Sequence, residues 1–417
     1  MTMLRQDLYQ RITARIDRYE ADMIRLQTEL TAIPALAPEN GGDGEYRKSR
    51  RLKELLEGYG FPEVREINAP DDRVSDGVRP NLVTLIPGKT GRRVWILTHM
   101  DIVPPGELSF WEGDPYTVRV RDGKVFGRGT EDNQQDLVAS VFAAKAFLDE
   151  GITPEASIGL VFVADEETAS HKGLDYILQS PENPFRRDDM LVVPDSGNED
   201  GSLIEIAEKS ILWLCFKTVG KQCHASRPDM GVNAFRAASH LVVRLNGLHE
   251  RFGAADPLFN PPGSTFEPTR KDANVPNVNT IPGEDVFYLD CRVLPQYDLG
   301  EVETVIRSMA DEIEKEFGVS VSVSPVQRIQ SPPATPQSAP IVSALKEAIR
   351  EVYAVSAEPR GVGAGTVAAF FRAAGYPVAV WSRCRYMAHQ PNEYALLSSM
   401  MGNAKVYAHL ALQGTES

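Results

Sequence analysis

The stretch Val94-Trp-Ile-Leu-Thr-His-Met-Asp101 is a short apolar run that ends in a histidine and an aspartate. Two later runs have the same form, with Asp165-Glu-Glu167 after Ile158–Ala164 and Asp195 after Met190–Pro194. Short, continuous apolar runs are typical of strands that are covered on both faces of a parallel sheet. Because the carboxyl ends of such strands form one crevice, we expect these polar residues to lie together.

Segments with helical patterns alternate with the strands. Asp136–Leu148 and His171–Leu178 are predicted as helices. Apolar residues at spacings of three and four from Leu4 to Ile33 predict one long N-terminal helix, which ends at Pro34. Strands that alternate with helices are typical of the α/β class. The sequence therefore predicts a mostly parallel sheet with helices on both faces.

The pattern changes near residue 210. Longer strands and amphipathic helices follow, and a Pro/Gly/Asn-rich stretch, 253–279, is predicted as a loop. A length of 417 residues also favours more than one domain. We therefore expect a catalytic domain formed by residues 1–209 and 330–417, interrupted by a smaller α+β domain, residues 210–329.

The charge balance limits the classes of partner. The chain has 44 Lys and Arg against 58 Asp and Glu, a net charge of −14, which argues against nucleic acid and anionic membrane surfaces. Its apolar runs are far shorter than the roughly 18 residues that span a bilayer, and its first residues lack the apolar core of a signal peptide. The cysteines are scattered without a CxxC pair, so a reduced, cytoplasmic setting is expected.

The polar residues at the strand ends indicate a metal centre. Carboxylates at contact distance repel one another unless a cation neutralises them, and Asp132, just before a predicted helix, adds to the cluster. Imidazole together with carboxylate ligands suits two ions of zinc, cobalt or manganese. Asp101 stands two residues after His99 and can orient its ring. Because neighbouring side chains diverge, one of Glu166 and Glu167 can bind metal while the other accepts a proton from water.

Each of these signals also has an ordinary structural explanation. A Glu-Glu pair is commonly part of a solvated loop, and a His-x-Asp sequence commonly forms a local hydrogen bond. Asp132 can cap the helix that follows it. The joint occurrence of the signals at successive strand ends favours the metal centre.

The part of the chain from about residue 80 to the end contains a series of motifs. They are His99-Met-Asp101, Trp111 with Asp114-Pro-Tyr116, Asp122-Gly-Lys-Val-Phe-Gly-Arg-Gly-Thr-Glu-Asp132, Asp165-Glu-Glu167, Asp195, Gly220-Lys-Gln-Cys-His-Ala-Ser-Arg-Pro228 with Gly231-Val-Asn-Ala234, and Ala388-His-Gln-Pro-Asn-Glu393. In order and spacing they resemble the M20 metallopeptidase family, of the acetylornithine deacetylase and succinyl-diaminopimelate desuccinylase kind. Many members place a Lys and small residues soon after the Asp that corresponds to Asp132, which bridges two metal ions in the family. This chain has Asn133-Gln-Gln135 there, which leaves the substrate subgroup open.

The resemblance implies a site for two zinc ions with the ligands His99, Asp132, Glu167, Asp195 and His389. Asp132 would bridge the two ions, Glu166 would be the general base, and Asp101 would orient His99. The resemblance also implies a cis peptide bond between Asp132 and Asn133.

The inserted segment resembles the family's lid and dimerisation domain, a four-stranded sheet with two helices, and so implies a homodimer. His224 in this segment is similar to a lid histidine that stabilises the oxyanion of the tetrahedral intermediate. Positions similar in context to those that hold a substrate carboxylate are Asn279, Arg292, Gly365 and Thr366. Three further arginines are candidates for carboxylate recognition because of their charge: Arg227, Arg383 and Arg385.

The implied activity is the cleavage of an amide bond in an N-acyl amino acid or a short peptide by metal-activated water. Three alternatives stay open at this point. A dipeptidase or carboxypeptidase of the same family is the nearest, and a two-metal phosphoesterase would use a similar carboxylate cluster. A non-catalytic binding protein would lack a ligand or the base, whereas this chain has all of them.

Overall fold

A computed structural model describes residues 3–413, with residues 3–5 described by their backbone alone. The helices are α1 Met3–Ile16, α2 Glu20–Thr31, α3 Tyr46–Gly58, α4 Gln134–Glu150, α5 Leu174–Gln179, α6 Ala234–Leu245, α7 Leu248–Arg251, α8 Leu299–Phe317, α9 Pro340–Tyr353, α10 Ala368–Ala373 and α11 Leu397–Leu412. The strands are β1 Arg65–Pro70, β2 Val78–Ile86, β3 Arg93–His99, β4 Arg119–Arg121, β5 Lys124–Phe126, β6 Ser157–Val163, β7 Met190–Asn198, β8 Leu203–Glu208, β9 Ser210–Val219, β10 Cys223–His224, β11 Thr265–Lys271, β12 Thr280–Ile281, β13 Glu284–Val293, β14 Ser320–Ile329, β15 Glu358–Val362, β16 Val378–Arg383 and β17 Tyr394–Leu396.

The chain folds into two compact units. Within the described residues, the main unit takes residues 3–206, 335–359 and 366–413. The inserted unit is formed by Ala207–Ala334 together with Arg360–Gly365. The expected insertion, 210–329, lies inside this second unit, and the short segment from Arg360 joins it from later in the chain.

An eight-stranded sheet with the order β1-β2-β6-β3-β7-β16-β8-β15 forms the centre of the main unit. Its four central strands, β6, β3, β7 and β16, run parallel to one another. The pairs β1–β2, β2–β6 and β16–β8 are antiparallel, so the sheet is mixed toward its edges. The predicted α/β class is confirmed. The parallel strands are the ones that carry or precede the polar residues predicted to bind metal.

Helices cover both faces of this sheet, as predicted. On one face, Trp95 and Leu97 of β3 share a core with Leu174 of α5 and Phe371 of α10. The intervening residues of β3 point the other way and are also buried, and α4 and α11 both contact this strand. None of the described helices combines the length and the apolar character needed to cross a membrane.

The prediction of one long N-terminal helix is wrong. The backbone breaks between α1 and α2, where Tyr19 has φ −91° and ψ 5°. The apolar residues nevertheless stay on one buried face, because Ile16, Tyr19 and Met23 all lie in the core. Glu20 and Asp22 occupy the first turn of α2, where carboxylates stabilise a helix start. The spacing of apolar residues predicts which face is buried and cannot detect a break that leaves that face continuous.

The inserted unit contains a four-stranded antiparallel sheet with the order β11-β13-β9-β14. Residues of α6 and α8 form one core with β9 and β13, including Leu241, Ile306 and Phe216. The prediction of a loop throughout 253–279 is wrong, since this stretch contains β11. That strand lies at the sheet edge and is exposed apart from its first two residues, so it lacks the apolar pattern of a strand.

Candidate metal centre

The parallel strands deliver ionisable side chains to one end of the sheet. His99 is the last residue of β3, and Glu166 and Glu167 stand in the turn that follows β6. Asp195 lies within β7, between the positions Val193 and Gly197 that pair with β16. Parallel strands end on the same side of the sheet, which explains why residues remote in sequence meet here.

The five residues expected to bind metal form two groups. In the first group, Nε2 of His99 lies 3.0 Å from Oδ1 of Asp132 and 3.3 Å from Oδ1 of Asp195. In the second, Nε2 of His389 lies 3.2 Å from Oδ2 of Asp132 and 3.1 Å from Oε2 of Glu167. Within each group the candidate ligand atoms all lie within 4.8 Å of one another. Asp132 belongs to both groups and turns a different oxygen to each.

Asp132 does not cap the helix that follows it. Asn133 occupies the cap position of α4, and its side chain makes no capping hydrogen bond. The Asp132 carboxylate instead faces the rings of His99 and His389. The peptide bond between Asp132 and Asn133 is cis, so the expectation from the resemblance is confirmed.

The ring of His99 is held from behind by Asp101. Nδ1 of His99 lies 3.1 Å from the backbone carbonyl oxygen of Asp101 and 3.4 Å from its Oδ1. Both of these atoms are acceptors, so Nδ1 donates its proton to Asp101 and Nε2 faces the carboxylates of Asp132 and Asp195. Oδ2 of Asp101 accepts the N–H of Glu167 at 2.9 Å. Asp101 thus connects the segment of His99 to that of Glu167.

The crowding of charges shifts several pKa values. Burial opposes a charged imidazole, yet the carboxylates of Asp101, Asp132 and Asp195 raise the pKa of His99 well above its usual value. Hydrogen bonds to Asp132 and then Glu167 raise the pKa of His389 to about 10.

Both glutamates of the turn after β6 shift in the same direction. Burial, and next the charge of Asp132, raises the pKa of Glu167 to about 7. Burial, followed by the charge of Asp195, raises the pKa of Glu166 well above its usual value. Burial is the larger cause in both cases, and the charge of a neighbouring carboxylate adds to it.

The donor atoms of this cluster fit a pair of divalent cations. Oε1 of Glu167 is buried and finds no hydrogen-bond partner within the described part of the chain. An unpartnered buried carboxylate oxygen is costly unless a cation or a donor satisfies it. Mixed imidazole and carboxylate ligands suit zinc, cobalt and manganese better than magnesium or calcium.

A buried glutamate that the sequence analysis left without a role holds the Asp132 segment. Glu393 is fully buried, and its Oε2 accepts the N–H of Gly129 at 2.9 Å and an N–H of the Arg128 guanidinium at 2.6 Å. Its Oε1 accepts the N–H groups of Glu131 at 2.8 Å and Asp132 at 3.0 Å. The sequence signal was the position of Glu393 at the end of the His389 motif, directly before apolar residues of β17 and α11.

Four of the other predicted site residues lie in the inserted unit as two local pairs. His224 and Asn279 are neighbours, since β10 pairs with β12 and Ala225 N–H donates to the Asn279 carbonyl at 2.8 Å. Arg292 lies near Gly365, because its Nη1 donates to the carbonyl of Gly363 at 2.9 Å.

The remaining candidates are placed as follows. Thr366 begins the last segment of the main unit. Arg227 pairs with Asp229, whereas Arg383 and Arg385 bind the carbonyl oxygen and the carboxylate of Glu199. These last three arginines therefore already have partners in their own unit.

The fold and this cluster are those of a metal-dependent hydrolase. The family model described as Peptidase family M20/M25/M40 matches residues 95–413. An uncharacterized metallohydrolase of Methanococcus maripaludis is 39% identical over 407 residues, which cover 93% of this chain and 97% of that relative. The chain belongs to the M20/M25/M40 peptidase family, so the resemblance seen in the sequence is confirmed.

Two further comparisons extend this result. A succinyl-diaminopimelate desuccinylase of Rhodospirillum centenum is 26% identical over 330 residues, covering 78% of this chain and 81% of that relative. The crystal structure of human carnosine dipeptidase 1 has a TM-score of 0.72 at 16% identity, covering 97% of this chain and 98% of that chain. The second comparison shows a shared fold.

Proposed function

We propose that this protein is a dinuclear, zinc-dependent hydrolase that cleaves the amide bond of an N-acyl amino acid. The observation that carries the proposal is the sharing of Asp132, whose two carboxylate oxygens face His99 and His389 separately. The first ion would be held by His99, Asp132 and Asp195, and the second by Asp132, Glu167 and His389. Cobalt or manganese would fit the same ligands.

Glu166 is proposed as the general base. The bound ions would polarise the scissile carbonyl group and supply a water nucleophile at neutral pH. Glu166 would take a proton from the attacking water and return it to the departing nitrogen. The Glu167 carboxylate is engaged with the ring of His389, whereas Glu166 belongs to neither ligand group and still interacts with the charge of Asp195. Asp101 is proposed to keep His99 in the tautomer that a metal ligand needs.

His224 is proposed to donate a hydrogen bond to the oxyanion of the tetrahedral intermediate. The N–H of Ser226 donates to Nδ1 of His224 at 3.1 Å. A ring nitrogen that accepts a hydrogen bond has no proton, so the neutral ring carries its proton on Nε2. His224 therefore has the tautomer that an oxyanion donor requires. The inserted unit is proposed as a lid and dimerisation domain, and the protein as a homodimer.

The proposed substrate class has a free carboxylate, and four residues are proposed to hold it: Asn279, Arg292, Gly365 and Thr366. The contact of Arg292 with the carbonyl of Gly363 supports a joint role for Arg292 and the segment that contains Gly365. The desuccinylase relative supports an N-acyl amino acid. A cytoplasmic location, expected from the scattered cysteines, is likewise a proposal.

The test combines metal analysis with a substrate panel. The purified protein is expected to hold two divalent ions per chain and to cleave N-acetyl or N-succinyl amino acids. Dipeptides in the same panel would reveal a peptidase instead. Hydrolysis of a generic phosphate ester without amide cleavage would overturn the proposal.

The role of Glu166 is tested by the isosteric change Glu166→Gln. The expected result is a fall in kcat of roughly 10²–10⁴-fold, because the proton acceptor is removed, with both ions retained. Glu182→Gln, at an exposed position of the same unit, is the control and should keep wild-type activity. Loss of bound metal in Glu166→Gln equal to its loss of activity would contradict the assignment.

A further inference from the structure

The residues on either side of Asp132 reach two different parts of the centre. Glu131 and Asn133 are both buried, although their residue types are usually found at the surface. Glu131 contacts the loop that carries His389, and Asn133 contacts the strand that carries Asp195. One short segment thus contacts two parts of the chain that carry different candidate ligands.

Glu131 holds the backbone just before His389. Its Oε1 accepts the N–H of Arg385 at 2.5 Å, and its Oε2 accepts the N–H of Met387. The loop that runs from Arg385 to His389 has an unfavourable backbone conformation, because Tyr386 and His389 have φ values of +57° and +63°. A carboxylate offers a separate acceptor oxygen to each of the two N–H groups, whereas an amide side chain has only one acceptor oxygen. The two carboxylate oxygens of Glu131 thus match the two N–H groups of this loop.

Asn133 holds the other end of the centre. Its Nδ2 donates to the carbonyl of Pro194 at 2.7 Å and to Oδ1 of Asp195 at 3.2 Å. The same Oδ1 is the oxygen that faces His99. The ladder between β7 and β16 is irregular at this point, between Val380 and Ser382, so the strand pairing alone does not set the position of Asp195.

We propose that Glu131 and Asn133 are positioning residues that each serve one ion of the pair. Glu131 sets the position of His389 in the group that also contains Glu167. Asn133 sets the position of Asp195 in the group that also contains His99. This inference rests on the proposed dinuclear function. It has the consequence that the affinities of the two ions can be changed separately by substitutions on either side of the shared ligand.

The experiment measures zinc binding to each group. Equilibrium dialysis against buffered Zn²⁺ gives the two dissociation constants, and the ring signals of His99 and His389 in NMR spectra show which group fills. Glu131→Gln is expected to weaken the His389 group by roughly 10–100-fold and to leave the His99 group close to wild type. Asn133→Ala is expected to weaken zinc binding at the His99 group and to leave the His389 group close to wild type. Glu131→Asp, which keeps two acceptors on a shorter side chain, should fall between wild type and Glu131→Gln.

Two matched controls separate positioning from general damage. Glu199→Gln removes the carboxylate that pairs with the side chain of Arg385, and Asn198→Ala removes an amide from β7 that contacts Ser202 and Leu203 rather than Asp195. Neither control should change zinc binding. The inference would be overturned if Glu131→Gln or Asn133→Ala weakened zinc binding equally at the His99 group and the His389 group. It would also be overturned if neither variant changed zinc binding at either group. If Glu131→Gln does not fold, the test rests on Asn133→Ala, which must weaken zinc binding at the His99 group more than at the His389 group. A wild-type chain that binds fewer than two ions would instead refute the proposed function.

Discussion

Replacing the buried Glu393 by glutamine tests whether this side chain holds the Asp132 segment. The change keeps the shape of the side chain and removes its charge and one acceptor. Glu393 and its partner Arg128 are both almost completely buried. Whichever oxygen becomes an NH₂ group, two donors lose their acceptor, since each oxygen of Glu393 accepts two hydrogen bonds.

The expected cost follows from these contacts. Removing one partner of a buried ion pair costs about 3–5 kcal/mol, and each buried donor left without an acceptor costs about 1–3 kcal/mol. The two counts overlap, because the Arg128 guanidinium is one of the donors. We therefore expect Glu393→Gln to lower the free energy of unfolding by about 3–5 kcal/mol. For a unit of this size the melting temperature should fall by about 10 °C.

A double-mutant cycle with Arg128→Met isolates the ion pair. In the Arg128→Met background no buried cation loses its partner, so Glu393→Gln should cost only about 1–3 kcal/mol there. Thermal and urea unfolding followed by tryptophan fluorescence suits this test, because the Arg128 guanidinium lies over the ring of Trp111. Glu112→Gln, at an exposed carboxylate, is the control. A melting temperature within 2 °C of wild type for Glu393→Gln, or an equal cost in both backgrounds, would refute the reasoning.

Three further predictions concern catalysis, metal and pH. His224→Gln should lower kcat by roughly 10²–10³-fold with unchanged zinc content, because it removes the proposed oxyanion donor; unchanged kcat would contradict that role. Exhaustive chelation should abolish hydrolysis and added Zn²⁺ should restore it, and full activity of a metal-free chain would contradict the metal requirement. Burial lowers the pKa of His409 from 6.5 to about 4. The unfolded chain therefore binds the extra proton first as pH falls, and the contribution of His409 to the stability should drop by about 3 kcal/mol between pH 6.5 and 4. Thermal melts across this range should show a smaller drop for His409→Gln, and parallel curves would contradict the burial argument.

The central strands and the cluster at their ends were predictable because their signals are local. Each of β3, β6 and β7 is a continuous apolar run, and polar residues follow or end that run within a few positions. Burial on both faces of a sheet requires such runs, and the parallel arrangement brings their ends together. The residues His99, Glu167 and Asp195 could therefore be placed at one edge before their distances were known.

The break between α1 and α2 and the strand β11 were missed for a different reason. A helix break that keeps one apolar face buried leaves the spacing of apolar residues unchanged. An edge strand that is mostly exposed has no apolar alternation to detect, and β11 also contains Pro268. Both features depend on what the neighbouring elements cover.

Composition, strand pattern and motif order were enough to establish the fold class, the family and the residues that meet at the strand ends. Only the tertiary structure showed that Asp132 turns one oxygen to His99 and the other to His389. It also showed that Glu393 and Glu131 tie together segments more than 250 residues apart. The physical reason is that periodicity and spacing report interactions between residues close in sequence. A buried carboxylate that accepts distant backbone N–H groups acts only after the chain has folded.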